Sequence, residues 1–189
     1  MLAGEEPERL AHLEPYLLDV VGAHFRKTGQ LSPGDFWLIL IWKANRAKNH
    51  QRRRLERDRT FDDAVEAIAE QLHGADKPQE RLQVLMATWG MRLPTASAVL
   101  TVLYPEEFTV YDIRVCNQLE AFHPLAHRPF SETLWCEYVC FREAVRTATP
   151  ANLTLRQKDH HLWGKSLMEQ VRSDLAAPVP APKQRMPRA

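Results

Sequence analysis

An all-α fold is predicted from three observations. Apolar residues recur at helical spacing almost throughout, helix caps punctuate the chain, and convincing strands are absent. Leu10, Leu13, Leu17, Val20 and His24 step by three and four along a first helix. Ser32-Pro33 is an N-cap followed by proline at the first helical position, opening a very apolar helix over about residues 34–43. Thr60 precedes Asp63 by three, the spacing of a capping box, and the stripe Phe61, Val65, Ile68, Leu72 follows. Residues 78–89 repeat the theme with Leu82, Leu85 and Trp89. Leu134, Tyr138, Phe141 and Val145 follow Ser131 as another stripe, and a helix over about residues 155–171 closes the fold. The run Phe108-Thr109-Val110-Tyr111 is too isolated to build a sheet. Roughly seven to ten helices joined by short connections are expected.

At 189 residues, 44% hydrophobic and 26% charged, the chain suits one globular domain, residues 1–175, with a real core. Residues 176–189 are rich in proline and basic side chains without an apolar period, and read as a disordered tail. The acidic N-terminus has no apolar signal region, and no apolar run approaches the ~18–20 residues of a membrane span. A cytoplasmic protein with no membrane partner is expected. The odd number of cysteines, Cys116, Cys136 and Cys140, argues against a disulfide framework. His123 and His127, with Cys136 and Cys140, form two i,i+4 pairs. Zinc is one reading of them; cysteines in a helix core with histidines in a loop is the other, favoured because the Cys-x-x-Cys turn is missing. No metal site is expected.

A net charge of +1 excludes a uniformly basic nucleic-acid binder, but residues 43–59 carry eight Lys/Arg against Glu56 and Asp58. That segment is +6 and the remainder −5, so the positive charge is a stripe. A stripe of this kind is either a phosphate footprint or a solvated helix face.

The informative stretch is residues 89–119. Gly90 can take the left-handed conformation that ends a helix. Shortly after it a second helix begins, rich in small residues at Thr95, Ala96, Ser97 and Ala98, which allow another backbone or a phosphate to come close. That helix ends near Pro105, and an extended link delivers Asp112 to the start of the next one, as cap and dipole partner.

These residues resemble the hairpin and active-site helix of the helix-hairpin-helix base-excision DNA glycosylases, the superfamily of endonuclease III and the 8-oxoguanine glycosylases. Gly90-Met91-Arg92 matches the turn, Thr95-Ala96-Ser97-Ala98-Val99-Leu100 the second helix, and Val110-Tyr111-Asp112-Ile113-Arg114-Val115 the aspartate motif. The close resemblance covers about thirty residues, residues 89–119. It implies a hairpin gripping a DNA phosphate through backbone amides at Gly90, Met91, Arg92 and Thr95, with Arg114 also on DNA. It implies a monovalent cation at the hairpin as the one candidate cofactor, and a catalytic carboxylate at Asp112. The implied partner is double-stranded DNA with a flipped base, bound by a monomer. Two departures stand out: Arg92 replaces the usual second glycine, and Pro94 stands where bifunctional members carry a Schiff-base lysine. The cysteine array of iron–sulfur members is also missing. A monofunctional enzyme is therefore expected.

Trp42-Lys43-Ala44-Asn45-Arg46 places an aromatic ring and two cations together. Trp42 suits stacking on a flipped base, Lys43 or Arg46 suits phosphate, and Lys43 is also a candidate catalytic replacement for the missing hairpin lysine. A core Trp42 with snorkelling cations is the alternative. Asp159 and Trp163 share a helix face and are candidates for closing the base pocket, with Trp163 as a core anchor the favoured alternative. Two other functions compete with the glycosylase reading: a catalytically inactive DNA-binding module of the same fold, and a helical interaction protein without nucleic-acid function.

Overall fold

The computed structural model describes residues 10–177, and among them all regular structure is helical. Leu13–Pro15, a π-helical stretch Tyr16–Val21 and Gly22–Thr28 run on as one rod, α1. Pro33–Ala44 is α2, Lys48–Leu55 α3 and Phe61–Gly74 α4. Pro78–Gln83 continues into a second π stretch, Val84–Thr88, as α5, and Leu93–Leu103 is α6. Ile113–Leu119 is α7, Glu132–Thr147 α8 and Leu155–Ala176 α9, with a 3-10 turn at His123–His127. The tail beyond residue 177 and residues 1–9 lie outside the described residues.

The predicted caps form. Ser32 Oγ accepts the Asp35 N–H at 3.0 Å with Pro33 behind it, and Thr60 and Asp63 make a reciprocal capping box. Ser131 accepts the Leu134 N–H at 3.1 Å. Each cap satisfies donors that a helix start leaves unpaired, worth about 1 kcal/mol. The stripes Phe61/Val65/Ile68/Leu72 and Leu134/Tyr138/Phe141/Val145 are buried. In α1 the expected face is corrected: Val20 and His24 are exposed, while Leu17, Val21 and Phe25 point inward. The π stretch is the reason. It spends an extra residue per turn, so the buried face advances by fours and the three-four stepping is lost.

Helix α6 is buried along almost its whole length and is packed by α1, α2 and α5. Helices α7, α8 and α9 form a second group, with α9 lying mainly along α7. The link between the groups, residues 104–112, turns at Pro105–Glu107 and then runs on without a strand partner; other elements satisfy its backbone. Tyr138 OH both accepts the Thr109 N–H and donates to the Thr109 carbonyl, at 3.0 and 2.7 Å. Ser97 Oγ of α6 accepts the Tyr111 N–H at 2.9 Å. The small residue at 97 thus lets the link lie against α6, and the link aims Asp112.

No described helix is long and apolar enough to cross a membrane. Cys116 is buried, but Cys136 and Cys140 are exposed, which corrects the expectation that they face a core. His123 bonds Asn117 at 2.9 Å and His127 accepts from Arg92 at 2.7 Å. Among the described residues no group of three or more His, Cys, Asp or Glu could hold a metal ion.

Candidate functional site: a carboxylate–lysine pair in an aromatic cavity

Asp112 is the extended N-cap of α7, where Oδ1 accepts the Arg114 N–H at 3.0 Å. Its other oxygen meets a residue 69 positions away: Lys43 Nζ, at the end of α2, donates to Oδ2 at 3.0 Å. Lys43 also reaches the Tyr111 carbonyl at 3.4 Å. Burial works against ionising Asp112, but the Lys43 charge, the Arg114 N–H and the Arg114 charge outweigh it. The carboxyl is held below its usual range and stays an anion at neutral pH.

The pair borders a cavity of about 370 Å³, lined also by Glu14, Trp42, Val110, Arg156, Asp159, His160 and Trp163. It lies at the seam between the two helix groups: α1 and α2 supply Glu14, Trp42 and Lys43, and α9 supplies residues 156–163. Glu14 is the hub of the cavity wall. It accepts from Arg156 Nε at 2.8 Å, Arg156 Nη2 at 3.0 Å, His160 Nε2 at 2.9 Å and Trp42 Nε1 at 3.2 Å. Burial opposes its charge, yet the hydrogen bonds from His160 and Arg156 hold Glu14 down at about 2. Arg156 also lies 5.0 Å from the centroid of the Trp42 ring and donates to Asp159. Asp159 behaves oppositely. It is 2% exposed, and burial pushes its carboxyl up to about 6 despite the bond from Arg156, whose charge is shared with Glu14.

Trp163 is 40% exposed, which corrects its reading as a core anchor; it stands on the cavity wall with Arg114 stacked 5.4 Å from its ring centroid. Arg114 further donates to Gln170 at 2.7 Å, so it braces α7 against α9. Trp42 is half-buried, packed against the core and bordering the cavity. Arg46 is exposed in the turn after α2 and is not part of the wall.

The turn between α5 and α6 has Gly90 at φ +62°, the left-handed value expected for a helix stop. Arg54 of α3 lies over it, and a Cβ on Gly90 would sit 2.5 Å from the guanidinium. The basic stripe and this turn therefore meet: Arg54, Arg57, Arg59, Trp89 and Gly90 share one shallow cleft, and Arg59 stacks 5.1 Å from the Trp89 ring centroid. The expected amide donors are unequal. Met91 is buried and its N–H is used by the Leu85 carbonyl at 2.9 Å; the Thr95 N–H is used by the Arg92 carbonyl at 2.9 Å. Arg92 is exposed and holds His127.

A wider depression of about 790 Å³ lies against α4, but Asp62, Glu66 and Glu70 line it, and no Lys, Arg or aromatic ring other than His73 does. It would repel phosphate and offers no stacking surface, so the seam cavity is the better candidate. The sequence singles out Lys43, Trp42, Asp112, Asp159 and Trp163, which the fold brings together. It missed Glu14, Arg156 and His160. Arg156 and Asp159 at i,i+3 were a readable pair, whereas nothing local distinguishes Glu14 from any acid on a first helix. Compared with known proteins, the chain matches no family model, no curated sequence and no solved structure.

Proposed function

We propose that this protein is a monofunctional DNA glycosylase that removes a damaged or modified base, a hypermodified one included, by hydrolysing its N-glycosidic bond. The observation that carries the reading is the Lys43–Asp112 pair, 3.0 Å apart, at a cavity of about 370 Å³ bordered by two tryptophans. That volume falls within the ~300–1,000 Å³ of small-ligand sites and admits a flipped base. Trp42 and Trp163 offer ring faces to stack on. As the bond between C1′ and the base nitrogen breaks, its electrons leave with the base and positive charge develops on the sugar. The Asp112 carboxylate faces that charge, and it orients a water whose oxygen bonds to C1′ while its proton ends on the departing base. Lys43 keeps Asp112 ionised and in place. The basic cleft beside Gly90 supports duplex binding, because its guanidinium groups suit phosphate.

Pro94 offers no amine, and the Lys43 amine is committed to Asp112 and the Tyr111 carbonyl. An abasic product without efficient strand cleavage is the consequence. Excision from duplexes carrying oxidised, alkylated or hypermodified bases tests the reading, with borohydride trapping beside it. Base release without a trapped adduct is expected. A strong adduct that disappears in Lys43→Ala would overturn the monofunctional assignment and make Lys43 the nucleophile. A second reading, a binding module without catalysis, draws on the same carboxylate: both Asp112 oxygens already accept a hydrogen bond. Duplex binding with no release from any substrate would favour it.

A further inference from the structure

Three carboxylates line the seam cavity, and their hydrogen bonds separate them. Glu14 accepts four donors from Arg156, His160 and Trp42, two on each oxygen. Asp112 is held on one oxygen by Lys43 and on the other by the Arg114 N–H. Asp159 is bonded through Oδ2 alone, by Arg156 Nη1, and its Oδ1 takes no hydrogen bond from any described residue. The side chain is 2% exposed and borders a cavity, so Oδ1 takes its donor from whatever fills that cavity, water or an occupant that displaces it. His160 and Lys43 lie near enough to ease its charge, but neither bonds it, and burial outweighs them.

We infer that Asp159 reads the occupant of this cavity, with Oδ1 accepting a hydrogen bond from an exocyclic amino group, so that the site takes an adenine- or cytosine-type base over its oxo counterpart. This rests on the cavity being a base pocket. A carbonyl oxygen at the same place would set lone pair against lone pair, and the mismatch leaves both acceptors without a donor from each other. Arg156 makes the selection directional. It holds Oδ2, so the carboxyl cannot exchange its two oxygens without breaking that bond. In Asp159→Asn the same guanidinium must still find an acceptor and takes the amide oxygen. The NH₂ group then faces the cavity, and an acceptor becomes a donor.

The experiment needs no DNA. Indole N–H signals of Trp42 and Trp163 are followed by NMR while free adenine, hypoxanthine, cytosine and uracil are titrated in turn at pH 8, where Asp159 is ionised. In the wild-type protein, adenine and cytosine should shift both signals at concentrations on the order of tenfold lower than hypoxanthine and uracil. Asp159→Asn should reverse the order within each pair. If the variant loses the dispersed indole signals of the folded chain, the wild-type order decides alone. Equal or reversed preference in the wild type, an unreversed order in a folded variant, or no shift with any of the four bases would overturn the assignment. None of those results touches Asp112, so the excision assay judges the glycosylase reading separately.

Discussion

Two carboxylates in the same cavity titrate in opposite directions because they solve burial differently. Glu14 is surrounded by donors, and its folded-state value of about 2 lies below the ordinary 4.5. A depressed carboxyl contributes stability that is present above its unfolded value and lost as pH falls through the folded one. Glu14 should therefore stabilise the protein above about pH 4.5, with the contribution fading towards pH 2. Asp159 has the reverse sign: its value of about 6 lies above 3.8, so it favours the fold below 3.8 and that benefit is lost as pH rises through 6. Urea unfolding of wild type and Glu14→Gln from pH 3 to 7 checks the first. The stability gap should widen from pH 3 to about 4.5 and then stay level; a gap independent of pH would show that the Glu14 charge is not what its partners recognise. Lys158 illustrates the same physics without a carboxylate. Buried at the start of α9, it donates to the carbonyls of Arg146, Thr149 and Pro150, closing the end of α8 with a charge.

At the scale of elements, close approach governs the site. A Cβ on Gly22 of α1 would stand 2.1 Å from the Val102 carbonyl of α6. Gly22→Ala must push the two helices apart, at a cost of about 1–3 kcal/mol, and melting should fall accordingly. An unchanged midpoint would mean that α1 is not seated on α6 as described. Gly90→Ala carries two penalties, a left-handed backbone costing about 1–2 kcal/mol and the displaced Arg54 guanidinium. It should weaken duplex binding more than Gly22→Ala does. How much of this was legible depends on range. The caps at Ser32, Thr60 and Ser131 and the stripes of α4 and α8 were readable because each is settled within one helix. The π stretch of α1 was not, since it is packing against α6 that decides whether Val20 or Val21 turns inward. Asp112 was visible through a local motif, and Lys43 through a cluster with Trp42. Their meeting was not legible, because a pair 69 positions apart depends on how Ser97 and Tyr138 anchor the intervening link.

Across the whole molecule, charge is sorted by place. The described surface puts Arg53, Arg54 and Arg57 along one cleft with His50, and Arg54, Arg57 and Arg59 along the next with Gly90. Arg52 stands apart. It lies 5.8 and 5.5 Å from the Trp37 and Phe61 ring centroids and bonds Glu56 at 2.8 Å, so it belongs to the packing of α3. Reversing Arg53, Arg54 and Arg57 to Glu should weaken duplex binding at low salt and flatten its salt dependence, by about 0.9 in the logarithmic slope for each phosphate no longer neutralised. An unchanged slope would remove the stripe from the interface.

On the proposed function, Asp112 is a charge used in chemistry. Asp112→Asn keeps the side chain's size, and the amide oxygen can still cap α7, but it breaks the bond to Lys43. A stability loss of ~1–2 kcal/mol is expected for that partly exposed pair. Single-turnover base release, measured on the same preparations as melting and duplex affinity, should fall by roughly 10²–10³ with binding intact or slightly tighter. A variant that folds, binds and still releases base at the wild-type rate would contradict the assignment of Asp112.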